Sequence, residues 1–150
     1  RALLKKQSYD WIILDAFNGD YIPEHLMTKE FLQEAKTLLS DNGILSSNTF
    51  SLSELYAHES ATYKAVFGDF YQVTNKVNSN RIILVSKKGF SNSSLNESNI
   101  NKLDKKLSFY GVDIKLLYRN MVNTKNNQNW SKNTRVLTDQ FSPANLLNAK

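Results

Sequence analysis

Tyr9 to Asp15 reads Y-D-W-I-I-L-D, and the reading of this stretch decides the fold. Trp11 to Leu14 is an unbroken apolar run closed by a carboxylate. Strict alternation would signal a strand with one wet face. A continuous run predicts a strand buried on both faces, as in a parallel sheet. The polar loop from Ala16 to Glu24 follows, with Gly19 and Pro23. A helix is expected next, from about Thr28 to Ser40. Thr28 suits its amino-terminal cap, and Phe31, Ala35, Leu38 and Leu39 share one face at the helical period. Asn42-Gly43 is expected to end it, with Gly43 in a left-handed closing position.

Ile44 to Phe50 reads as a second strand. Ser51 and Glu54 have the spacing of a capping box, opening a helix to about Phe67. Phe70 to Val77 and Arg81 to Ser86 are two further strands. Only Asn78-Ser79-Asn80 lies between them, too little for a crossover helix, so they must pair antiparallel. The order strand, helix, strand, helix, strand, turn, strand predicts an α/β fold: a mostly parallel sheet with one reversed strand in a closing hairpin, and helices on both faces. Gly89 to Asn96 reads as a loop. Ile100, Leu103, Leu107 and Tyr110 form an apolar helical stripe stopped by Gly111, and Val112 to Val122 fits either a strand or a short helix. Asn123 to Asn133 is Asn-rich and expected to be a mobile loop. The tail from Val136 to Leu147 carries apolar anchors and should pack back. The expectation is one domain over residues 1–150, with a core at about 9–88 and a helical or irregular extension at about 89–150.

Composition narrows the chemistry. The 150 residues are 41% hydrophobic, enough for one domain with a real core. No run approaches the ~18 apolar residues of a membrane span, and Arg1 to Lys6 has no signal-peptide core. There is no cysteine, which excludes disulfides and thiolate metal sites and suits a cytoplasmic setting. His25 and His58 are isolated, so no metal site or triad is expected. No nucleophile elbow, P-loop or dinucleotide G-x-G-x-x-G is present. The net charge of +5 is uneven: residues 1–75 hold 6 basic and 10 acidic residues, and residues 76–150 hold 13 and 4. Scattered lysines of this kind chiefly keep a surface solvated.

Three stretches together resemble the polyamine aminopropyltransferases, the spermidine synthase-like family. They are Y-D-W-I-I-L-D-A-F-N-G-D-Y-I-P-E-H-L (Tyr9–Leu26), D-N-G-I-L-S-S-N-T-F (Asp41–Phe50) and the hairpin F-Y-Q-V…R-I-I-L-V. The tail V-L-T-D-Q-F-S-P-A-N-L-L-N is similar to the ending of bacterial members, some of which are fused to membrane domains. The first stretch is the specific one, because it resembles the family's strand followed by an aspartate-rich loop. The resemblance implies the carboxyl-terminal half of a Rossmann-like, class I methyltransferase-type domain. It also implies aminopropyl transfer from decarboxylated S-adenosylmethionine to an amine such as putrescine. The co-substrate, or S-adenosylmethionine itself, would be bound in passing rather than as a tightly held cofactor. The family's Gly-rich loop and ribose-binding acid precede the strand at Tyr9 and are absent from this sequence. A full nucleotide site would need another segment or chain, and either a missing amino-terminal segment or a homo-oligomer is expected to cover the half-sheet.

Asp15 stands at a strand's carboxyl end, where ligands of open α/β sheets bind. A carboxylate there can orient an amine and take its proton. The resemblance makes Asp15 the catalytic base. It places Asn18, Asp20, Tyr21 and Glu24 around the amine, and Ala16, Phe17 and Asn48 around the co-substrate. Asn18 stands where the family has its second aspartate, and Asp20 is the nearest replacement. Each of these residues also has a plainer use: Asp15 and Asn18-Gly19-Asp20 in loop turns, Glu24 at a helix start, Phe17 and Tyr21 in packing, Asn48 in satisfying backbone groups. Two alternatives stay open. One is an S-adenosylmethionine-dependent methyltransferase-like or degenerate nucleotide-binding module, favoured by Asn18. The other is a nucleic-acid-binding domain using Tyr110, Tyr118 and Trp130 among the lysines of the second half. It lacks any recognised reader motif, so nucleic acid is not the expected partner.

Overall fold

The computed structural model describes residues 7–16, 23–74, 80–91 and 96–148. The chain runs β1 (Tyr9–Leu14), α1 (Lys29–Leu38), β2 (Leu39–Phe50), α2 (Leu55–Phe67), β3 (Tyr71–Thr74), β4 (Asn80–Ser86), α3 (Glu97–Leu107), α4 (Ile114–Asn120), β5 (Val122–Asn123) and α5 (Ala144–Asn148). The five strands form one sheet in the order β1-β2-β4-β3-β5. β1 and β2 are parallel, while β4 is antiparallel to both β2 and β3. β1, β2 and β3 therefore point one way, and β4 is the reversed strand of the hairpin, inserted between two strands of common direction. The α/β class and the closing hairpin are as expected. The insertion is the reason that only one of the four strand pairings is parallel, since two-residue β5 adds another reversed strand beside β3.

α1 and α2 cover one face of the sheet. Leu32, Ala35, Tyr63 and Phe67 pack there on Leu39, Leu45, Ile83 and Val85, with Phe70 and Trp130 completing the cluster. Thr28 caps α1 as read, accepting a hydrogen bond from Phe31 N at 3.2 Å. The capping box at Ser51 does not form. α2 begins only at Leu55, and Glu54 at its N-cap makes no side-chain cap bond. Gly111 ends the α3 stripe in a left-handed conformation, and Val112 to Val122 resolves mostly into the helix α4, capped by Asp113.

The helix end at Asn42-Gly43 is a second correction. α1 stops at Leu38, and Leu39 leaves it in an extended conformation that enters β2 directly, so no left-handed residue is required. Gly43 lies inside β2 and matters for closeness instead. A Cβ there would sit 2.9 Å from Tyr9 O and 3.0 Å from Ser40 N and O. This is the point where the β1–β2 register shifts between Tyr9 and Trp11. Those neighbours are backbone atoms, so they cannot rotate away. Gly43→Ala is expected to cost about 1–3 kcal/mol through overpacking, outweighing the ~0.4–1 kcal/mol gained from a stiffer unfolded chain. A urea midpoint unchanged from wild type would refute the close approach.

The strand that decided the fold is exposed on one side. Ile12 and Leu14 face the core, but Trp11 is 64% and Ile13 61% exposed. β1 lies at an end of the sheet, and α1 and α2 cover the opposite face. Burial therefore alternates although the sequence does not. Asn123 to Asn133 is a further correction, because it packs rather than standing off. Thr124 is fully buried with its hydroxyl accepting from Phe70 N, and Trp130 stacks on Phe70 at 5.9 Å. The tail packs as expected, with Leu137 and Ala144 buried against Met27 and Leu55. Among the described residues no helix is long and apolar enough to cross a membrane.

Candidate active site

Asp15 follows the last residue of β1 and is exposed. The parallel register pairs Leu14 with Ser47, which brings Asp15 level with Asn48 on β2. Asn48 Nδ2 donates to Asp15 Oδ1 at 3.1 Å. A one-residue slip of either strand would turn the two side chains to opposite faces, so the sheet register itself sets this contact. Asn48 Oδ1 is buried and has no partner among the described residues. A buried amide oxygen in that state is a ready acceptor for an N–H donor.

Behind the pair lies a cavity of about 30 Å³, lined in part by Ala16, Met27, Asn48, Glu59 and Tyr63. A water needs roughly 10–15 Å³, so this space fits a solvent molecule and not an organic substrate. Any ligand larger than a water must therefore approach Asp15 from its exposed side. Burial pushes the Tyr63 hydroxyl well above its ordinary range, with the neighbouring Glu59 adding to the shift against a hydrogen bond with Ser47. Tyr63 is thus a neutral wall of the cavity.

The structure brings Asp15, Ala16 and Asn48 together and sets Glu24 apart. Glu24 Oε1 accepts from Asn145 N at 3.2 Å and Asn145 Nδ2 at 3.1 Å, tying the start of a short 3-10 turn to the tail. Glu24 also borders an open groove of about 800 Å³ with Glu30, Phe31, Asp139 and Phe141. Phe17, Asn18, Asp20 and Tyr21 lie outside the described residues. His58 bonds Arg135 O through its Nδ1 at 2.7 Å, a structural role. No group of three or more His, Asp or Glu side chains suited to a metal occurs among the described residues. Of the three aromatics that a nucleic-acid surface would use, Trp130 is buried, while Tyr110 and Tyr118 are exposed.

Sequence reasoning missed the polar centre below this site. Arg81 is fully buried, with Nη2 2.9 Å from Glu59 Oε2, Nε donating to Thr49 and Nη1 donating to Ser60. The signals were present. Arg81 shares a strand face with Ile83 and Val85, and Glu59 continues the four-residue stripe Leu55, Tyr63, Phe67. Both charges sit at core positions of their periods.

No family model matches the chain. It is 49% identical over 148 residues to the polyamine aminopropyltransferase of Vibrio vulnificus (strain CMCP6), an alignment covering 98% of this chain and 48% of that protein. The chain thus spans about half the length of this curated relative. Among solved structures, a probable spermidine synthase from Corynebacterium glutamicum ATCC 13032 superposes with a TM-score of 0.60 at 20% identity, covering 95% of this chain and 53% of that one. At that identity the likeness concerns the fold.

Proposed function

This chain is a relative of the polyamine aminopropyltransferases, and on that footing we propose that it carries the amine-side portion of an aminopropyl-transfer site. The Asp15–Asn48 pair at the carboxyl ends of two parallel strands is the observation that carries the reading. The donor is decarboxylated S-adenosylmethionine, used as a co-substrate, and the acceptor is a small amine such as putrescine. An ammonium cannot attack, because its lone pair is occupied. Asp15 orients the amine and takes a proton from it as the new N–C bond forms. The C–S bond of the sulfonium breaks, its electron pair goes to sulfur, and a neutral thioether leaves without help from an acid. Holding the two reactants together supplies much of the remaining acceleration. Asn48 steadies the carboxylate through the bond from its Nδ2. Ala16 and Phe17 border the co-substrate in this reading. Asn18, Asp20 and Tyr21 border the amine, and Glu24 holds the tail that closes the acidic groove nearby.

The position of Asn18, where the family's second aspartate would stand, favours a second reading: a methyltransferase-like use of S-adenosylmethionine. One experiment separates the two. The protein, supplied with the other half of its fold, is given each labelled donor with putrescine. Label in a polyamine product from the decarboxylated donor supports aminopropyl transfer. Label passing only from S-adenosylmethionine, or from neither donor, defeats it.

A further inference from the structure

Asp15 is exposed, and the bond from Asn48 is what aims it. That bond is only as definite as the Asn48 amide. A carboxylate accepts and does not donate, so Nδ2 faces Asp15 and Oδ1 turns inward. Oδ1 is buried there, and no donor among the described residues reaches it. The reversed amide has an attraction of its own. It would turn Nδ2 toward the buried carboxylate of Glu59, and set Oδ1 against the Asp15 carboxylate with no hydrogen between them. A donor on the inner side would decide the matter in favour of the inward oxygen.

The cavity behind the pair supplies the parts. Its polar lining is Ser47, Asn48, Glu59 and Tyr63, and the other described residues around it are apolar. Glu59 and Tyr63 are both buried. Ser47 bonds Tyr63 in the sense that favours the phenolate, so Ser47 donates to the phenol oxygen. The proton of Tyr63 is left to point into the cavity. Burial pushes its pKa well above the ordinary value, so that proton stays on. Glu59 accepts from Arg81 at 2.9 Å and from Thr49, and a carboxylate has room for a further donor. Arg81 already matches its charge, so the space calls for a neutral occupant. Tyr63 offers a hydrogen, while Asn48 Oδ1 and Glu59 each accept one. A water completes that set with about three hydrogen bonds, the usual number for a buried one.

We propose that this cavity is a water-binding site, and that Tyr63, acting through the bound water, is a positioning residue that fixes the Asn48 amide and so aims Asp15. The water accepts from Tyr63 Oη and donates to Asn48 Oδ1 and Glu59. Nδ2 is thereby held outward, toward the carboxylate. The inference rests on the reading of Asp15 as the base, and adds what holds that base in place.

The test uses the protein completed by the other half of its fold. A crystal structure fine enough to show solvent should place one ordered water within about 3.2 Å of both Asn48 Oδ1 and Tyr63 Oη. The side-chain amide of Asn48 should give a single sharp pair of NMR signals. Tyr63→Phe keeps the ring and removes only the donor. It should lower kcat about 10–100-fold with KM unchanged, the scale on which a misaimed group costs turnover. It should also shift or broaden the Asn48 amide signals. A tyrosine with a merely structural role would move the denaturation midpoint and leave kcat and those signals alone. A dry cavity, a reversed Asn48 amide in the wild type, or wild-type kcat in Tyr63→Phe overturns the proposal. A bound water and an Asn48 signature that depends on Tyr63, in a protein that transfers no aminopropyl group, would support the water site and sink the functional reading. Transfer by a protein with a dry cavity would do the reverse.

Discussion

Asp15→Asn should lower kcat for aminopropyl transfer by about 10²–10⁴-fold in the completed protein, with little change in KM. Asparagine keeps the size of the side chain and an oxygen to accept the 3.1 Å bond from Asn48, so the fold and the local geometry should persist. What is lost is the basic lone pair that takes the amine proton. The variant therefore separates a chemical role from a turn-forming one. Asp15 is exposed and its known bond is to a side chain, so a purely structural aspartate replaced by asparagine would leave turnover within a few fold. Wild-type turnover in the variant would remove Asp15 from the mechanism.

Arg81→Met should cost about 3–5 kcal/mol, a large share of the ~5–15 kcal/mol that holds a domain together. The guanidinium is 0% exposed. It bonds Glu59, Thr49 and Ser60, approaches Gln72 Oε1 at 3.4 Å and lies 4.2 Å from the centre of the Tyr56 ring. Deleting it leaves Glu59 buried without its counter-charge. Burial already raises the Glu59 carboxyl above its ordinary value of 4.5, against the pull of Arg81, and losing that pull raises it further. A carboxyl whose folded pKa is raised contributes its stability fully below the unfolded value and loses it as pH climbs toward the folded one. The deficit of Arg81→Met should therefore be smaller near pH 4.5 and grow toward neutrality. Adding Glu59→Leu should recover much of the loss, since an apolar replacement of both partners is often neutral. Guanidinium denaturation at the two pH values measures all of this. An equal deficit at both would mean that Glu59 does not hold a strained charge.

The sequence was a good guide where periodicity and turn length act locally. The α1 cap at Thr28, the stop at Gly111 and the hairpin of β3 and β4 follow from neighbours a few residues apart. It was a poor guide where a distant contact decides. Asn-Gly after a helix ordinarily closes it, but Gly43 is set by Tyr9, far back in the chain. Trp11 to Leu14 looks buried throughout, because a strand's composition records the sheet it suits and not which neighbours are present. Trp130 reads as a surface aromatic in an Asn-rich stretch, until Phe70 is seen beneath it. For the site, the acid at a strand end was legible as chemistry. Its link to Asn48 depends on register, which only the pairing of β1 with β2 reveals.

The insertion of β4 between β2 and β3 also governs the order in which this protein can be made. A ribosome delivers β1, α1, β2, α2 and β3 before it delivers the strand that joins them. Until Arg81 to Ser86 emerge, β2 has no neighbour on its second side and β3 lacks its long partner. Trp130 and Leu137, which seal the two apolar clusters, come later still. The apolar layer therefore stays incomplete until β4 and then the tail have emerged, and the core closes by non-local pairing, the slow kind.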